Sequence, residues 1–167
     1  MPPSKSGIAD YSEALAAEMA KRACLSIFDK TALDRSSTPF DPSAYDVALY
    51  HIGNNPWHSF AYETALRHPG VVVMHEANLH HLIADITIRR GDWDAYLAEA
   101  ELNGGANARE HAARVRALAV GPDYDGVPMT RRLLEASRGL VVHSDFVARE
   151  MRAQGFNGPI ATIPHGA

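Results

Sequence analysis

Short apolar runs alternate with longer stretches of helical periodicity along the 167 residues. SGIADYSEALAAEMAKR (6–22) places Ile8, Tyr11, Leu15 and Met19 on one helical stripe. CLSIF (24–28) predicts a strand, SSTPFDPS (36–43) a loop with two prolines, and DVALYHIG (46–53) a second strand. A helix over HSFAYETALR (58–67) ends at Pro69-Gly70. The β-branched run of VVVMH (71–75) then predicts a buried strand. Residues 78–120 predict helix in pieces, broken near Arg90-Gly91 and at NGG (103–105), with Ala108, Ala112, Val115 and Ala119 as a stripe. Pro128 suits the first turn of a helix over MTRRLLEAS. LVVHS (140–144) predicts a strand, DFVAREMRAQ a helix, and IATIP (160–164) the last strand.

Such alternation predicts βαβ units and a mostly parallel sheet, in an α/β, doubly wound, Rossmann-like three-layer fold. Ligands of such sheets sit beyond the carboxyl ends of the strands. Gly53-Asn54-Asn55, His75-Glu76, His143-Ser144 and His165-Gly166 each follow an apolar run directly, so a parallel sheet gathers them on one rim.

The length suits one domain over 1–167, with a helical section near 83–138. Net charge is −4, so no nucleic-acid footprint is expected. The start lacks the apolar core of a secretory signal, and no apolar run reaches a membrane span. The single cysteine, Cys24, is expected to pack as a small hydrophobe in a reducing compartment. Together these predict a soluble, cytoplasmic domain. Arg109, Arg114 and Arg116, with Arg131 and Arg132, suggest weak peripheral contact with anionic lipid, but Glu110 interrupts them and a solvated helix face is the better expectation.

VVVMHEANLHHL (71–82) concentrates three histidines and a glutamate. The metalloprotease pattern needs two histidines four apart on one helical face. His75 and His80 are five apart and diverge by roughly 140° on a helix; His81 diverges from His75 by about 120° the other way. His75 is therefore expected at a strand end, and His80 and His81 at the start of a partly exposed helix, with no metal site.

PPSKSGIADYSEALAAEM (2–19), YHIGNNPWHSFAYETALRHPGVVVMHEANLHHL (50–82), GLVVHSDFVAREM (139–151) and IPHGA (163–167) together resemble retaining glycosyltransferases of family four, and in particular the N-terminal half of their GT-B fold. The resemblance implies a role for Ser6, Gly7 and Ile8 at a helix start near a sugar-nucleotide diphosphate. Helix-start N–H groups favour anions, and glycine permits close approach. It implies that His75 lies beside the donor sugar as the catalytic histidine, and that Glu76 stands where relatives often carry aspartate, its carboxylate displaced by one methylene. Asn54 and Asn55 are either sugar ligands or turn residues. Ser144 reads as an N-cap. His165 would face the cleft and Gly166 would be the hinge to a second domain.

The implied substrates are a nucleotide-sugar donor and a glycan, lipid-linked or small-molecule acceptor, with no metal or other cofactor. By the same resemblance, the first central strand and the C-terminal donor-binding domain have no counterpart in these residues. A fragment with little turnover of its own is therefore expected. Rival expectations are a non-catalytic carbohydrate- or partner-binding module of the same fold, a histidine-based metal hydrolase, and a sugar-nucleotide epimerase.

Overall fold

The structure is a computed structural model that describes residues 7–28 and 41–164, with side chains from residue 11 onward in the first stretch. The chain divides into two compact units: Met1–Asp46 with His165–Ala167, and Val47–Pro164. In the first, α1 (Gly7–Met19) carries the stripe expected of it. Tyr11, Leu15 and Met19 are half-buried, while Glu13, Ala14, Ala17 and Glu18 are exposed.

Two expectations fail together just after α1. Residues 24–28 form no strand, and Cys24 is exposed rather than packed. Leu25, Ile27 and Phe28 are exposed as well. The tendency of CLSIF to extend is real, but a strand exists only through pairing, and this segment pairs with no described strand.

The second unit is α/β with a four-stranded, all-parallel sheet in the order β1 (Leu49–Ile52), β2 (Val71–Met74), β3 (Gly139–Val142), β4 (Ile160–Thr162). This is the strand arrangement of a Rossmann-like three-layer fold. The order does not reverse among the described strands. Right-handed crossovers that always step the same way put every connecting helix on the same face. These helices are α2 (Ser59–Arg67), α3 (His80–Ile86), α4 (Trp93–Arg116), α5 (Arg131–Ala136) and α6 (Asp145–Ala153). Accordingly the core joins Tyr50, Ile52, Val72, Met74, Leu140 and Val142 from one sheet face to Tyr62, Leu82, Ile83, Tyr96, Leu133 and Met151 from the helices. The other face carries Leu49, His51, Val71, Val73 and Val141, none of which joins that core. No described helix is long and apolar enough to cross a membrane.

Pro69-Gly70 ends α2 and starts β2 as the sequence predicts. Glycine is required by crowding, because a Cβ at Gly70 would lie 2.4 Å from the Ala48 carbonyl oxygen of β1. The break at NGG is sharper than a kink. Gly105 sits at φ 72°, ψ −164°, and the two halves of α4 fold back on each other. Arg109 reaches Glu101 at 2.9 Å and Arg116 reaches Asp94 at 3.1 Å. In one straight helix, 22 residues would separate the latter pair by about 33 Å. Four of the five arginines of the basic cluster are thus spent on neighbours, since Arg131 pairs with Glu135 and Arg132 with the buried Glu99.

Pro128 is not in the first turn of α5. Its carbonyl accepts the Leu79 N–H at 2.8 Å, and Met129 takes a left-handed φ of 55°, so the helix starts only after Thr130. His80 does begin α3 but is buried rather than partly exposed. Its Nδ1–H donates to the Val127 carbonyl at 2.8 Å, so Nε2 accepts from the Tyr96 hydroxyl at 2.7 Å. Burial, then the charges of Tyr124 and Asp123, push the Tyr96 hydroxyl up to about 12. The hydroxyl of Tyr62, equally buried, has no partner.

Two stability tests follow from this packing. Gly105→Ala forces a side chain into a conformation open essentially to glycine alone, and should lower the urea-derived unfolding free energy by about 1–3 kcal/mol. Tyr96→Phe leaves the His80 ring nitrogen unsatisfied and should cost about 1–3 kcal/mol, whereas Tyr62→Phe removes a hydroxyl without a partner among the described residues and should leave stability unchanged or raise it by up to about 1–3 kcal/mol. Equal losses in the two tyrosine variants would contradict the assignment.

Candidate functional site

The carboxyl ends of β1, β2 and β3 bring three imidazoles into one row. The register pairs His51 with Val73 and Met74 with Val142. One step further, His75 and His143 are neighbours on adjacent strands. Side chains alternate along a strand, so His51, His75 and His143 all project from the sheet face opposite the helical core. His51 Nδ1 lies 3.2 Å from His75 Nε2, and their rings stack with centroids 5.4 Å apart. The His75 and His143 centroids are 4.9 Å apart. His75 therefore sits in the middle of the row, half-buried, on an interior strand.

Backbone bonds fix the flanks of the row. His75 N–H donates to the Ile52 carbonyl at 3.0 Å, which extends the β1–β2 ladder to the histidine itself. His143 Nδ1–H donates to the Ile163 carbonyl at 2.9 Å, and His58 Nδ1–H to the His51 carbonyl at 2.9 Å. A carbonyl only accepts, so both rings must carry their proton on Nδ1. Between His51 and His75 one ring donates and the other accepts.

Electrostatics keep His51 from charging. Burial, followed by the proximity of His58 and His143, lowers His51 to about 4. Burial also lowers His58, against the opposing pull of the His51 carbonyl and of Glu76. His80, outside the row, is lowered by burial too. At neutral pH His51 is uncharged, so one of its ring nitrogens can accept a hydrogen bond.

The loop after β1 joins the loop after β2. Asn54 N–H donates to Glu76 Oε1 at 3.1 Å, so the glutamate reaches the neighbouring strand end despite its extra methylene. Asn54 Oδ1 accepts the Leu82 N–H at 3.0 Å in the first turn of α3, and Asn55 Oδ1 accepts the Trp57 N–H at 3.0 Å. Asn55 thus caps its own turn, while Asn54 ties the loop after β1 to α3; each Oδ1 contact orients its amide and leaves Nδ2 as a donor. Ser144 caps α6, its Oγ accepting from Val147 N–H at 3.2 Å, as its position after the strand predicts.

Of the other residues singled out, Gly7 opens α1 in the first unit. Ser6, His165 and Gly166 lie outside the described residues. His81 is exposed on α3, its ring against Tyr124 with centroids 4.3 Å apart. Sequence reading named His75 but missed His51 and His58. The available signal was the alternation of LYHI, with Tyr50 and Ile52 as the core pair and His51 opposite them. Among the described residues, no group of three or more His, Cys, Asp or Glu is placed to hold a metal ion.

Comparison with family models, curated proteins and solved structures gave no match in any of the three.

The depressed histidines make a definite pH prediction. A group whose pKa is about 6.5 unfolded and lower when folded binds more protons in the unfolded chain, so stability falls as pH drops below about 6.5. For His51 the window runs from that value down to about 4. The urea midpoint should be flat above about pH 7.5 and fall between roughly pH 6.5 and 5, above most carboxylate titration. His51→Asn should flatten that slope; an unchanged slope would remove His51 as a cause.

Proposed function

We propose that the chain is the acceptor-side α/β domain of a retaining glycosyltransferase, moving a hexose from a nucleotide-sugar to a glycan, lipid-linked or small-molecule acceptor. The observation that carries the reading is the position of His75. It stands at the carboxyl end of an interior parallel strand, between His51 and His143, beside a carboxylate and two fixed amides. Ligands of open parallel sheets lie at this rim.

In this reading the uncharged imidazole of His75 donates to a hydroxyl of the sugar being transferred. A neutral donor holds the hydroxyl without placing a cation beside an oxocarbenium-like centre, where positive charge develops. Glu76, oriented by the Asn54 N–H, accepts from an acceptor hydroxyl with its remaining capacity. Gly7 opens a 13-residue helix in the first unit, and helix-start N–H groups favour anions such as a diphosphate. The diphosphate departs from the face on which the acceptor attacks, which retains the anomeric configuration. The reading places the protein in the cytoplasm, a compartment that suits its one exposed cysteine.

Histidine Cε1–H NMR signals provide the test, with UDP-glucose, GDP-mannose, maltose and cellobiose as probes. At least one probe should shift the His75 resonance, and His75→Ala should weaken its binding at least about 10-fold, or 1.4 kcal/mol. No shift from any probe up to about 10 mM, near the weakest affinity worth the name of a site, would end the proposal.

A further inference from the structure

Three of the exposed large apolar side chains of the second unit lie within five residues after a strand end. Trp57 comes after β1, Phe146 after β3 and Ile163 after β4. Trp57 is the extreme case at 88% exposed, and Phe146 is 59% exposed. Tryptophan is on average among the most buried residues, so an indole held almost wholly in water needs a reason.

The loop that carries it is built. Asn54 is tied to Glu76 and to the start of α3. Asn55 Oδ1 accepts the Trp57 N–H itself, and the Asn55 carbonyl accepts the His58 N–H at 3.2 Å. His58 is bonded on to the His51 carbonyl of β1. Each polar side chain from 54 to 58 is thus spent on holding the turn, while the indole is spent on nothing. Its backbone is one residue from a ring bonded to the histidine row. On the other side of β2, Phe146 occupies the first turn of α6, fixed by the Ser144 cap.

An exposed indole on a hydrogen-bonded turn, next in sequence to two asparagine amides, matches the chemistry of a pyranose, which has an apolar C–H face and an equatorial belt of hydroxyls. Rigid, amphipathic aromatics give contact area at small entropic cost. We propose that Trp57 is the stacking platform for a pyranose ring of the acceptor, with Phe146 flanking the same rim from the β3 side. The proposal rests on the glycosyl-transfer reading and names the acceptor class as one presenting a terminal pyranose. The Nδ2 groups of Asn54 and Asn55 are the nearest donors to its hydroxyls in the chain.

Indole emission tests it, because the chain has only two tryptophans, and Trp93 packs edge-on against Tyr96 at 5.8 Å. The wild-type chain, Trp57→Ala, Trp57→Phe and Phe146→Ala would be titrated with maltose, cellobiose, chitobiose and mannobiose. At least one disaccharide should shift the wild-type emission. By NMR, Trp57→Ala should weaken that disaccharide at least tenfold, with Trp57→Phe intermediate and Phe146→Ala milder. The thermal midpoint should stay unchanged in all three variants, since both side chains are exposed.

A disaccharide that moves the His75 signal without changing the Trp57 emission would overturn the platform and leave the transferase reading intact. A disaccharide that shifts Trp57, with His75 blind to every nucleotide-sugar and disaccharide, would keep the platform and sink transfer. Emission that responds only to phosphatidylglycerol vesicles, or only to self-association lost in Trp57→Ala, would overturn the proposal in favour of a membrane or a second copy. No response to any of these probes overturns it as well.

Discussion

The in-register parallel pairing of β1, β2 and β3 is the constraint on which the rest of the site depends. Parallel strands place all their carboxyl ends at one edge, and the two-residue alternation sorts side chains between faces. His51, His75 and His143 are distant in sequence, yet the register leaves them no choice but to meet. A slip of one residue in β2 would turn His75 into the helical core and carry Met74 out to the rim. Such a slip is opposed by the fully buried Val72 and Met74, and by the crowding at Gly70 against the Ala48 carbonyl. Packing on one face of the sheet therefore fixes chemistry on the other.

The division of labour between the faces extends to the polar groups. On the helical side, His80 is satisfied on both ring nitrogens by Val127 and Tyr96, and it contributes rigidity rather than reactivity. At the rim, His58 and His143 are each held by a backbone carbonyl through Nδ1, while His51 and His75 bond each other through ring nitrogens. Two sets of histidines in one domain thus have different employment, decided by what lies within 3 Å of each nitrogen rather than by residue type.

Much of the fold was legible because its strands are made of β-branched runs bounded by glycine, proline or polar residues. VVVM and GLVV needed nothing beyond that rule, and NGG announced its break. The failures share one physical cause, which is that tertiary partners decide marginal segments. CLSIF has strand-forming residues but no described strand to pair with, and Cys24 stays exposed beside it. Pro128 had the right chemistry for a helix start, yet its carbonyl is committed to Leu79 and the backbone turns left-handed at Met129. At the site, His75 and Glu76 were visible as strand-end residues, as was the cap at Ser144. The partnership with His51 was not, because it depends on register between strands, which a single pass along one strand does not supply. Asn54 looked ambiguous for a similar reason, since its capping partner, Leu82, is 28 residues away.

The bond from His58 to the His51 carbonyl has a further consequence for the β1 side of the described sheet. β1 is the outermost described strand beyond β2, and Ala48 and Ile52 turn their carbonyls inward to β2. By alternation, His51 directs its carbonyl the other way, where an unguarded acceptor would invite a stray β-segment from another molecule. The imidazole plugs that acceptor. Because Nδ1 carries a hydrogen in both the neutral and the protonated ring, the plug keeps its donor through acidification, so this acceptor stays satisfied even when the rest of the histidine chemistry changes.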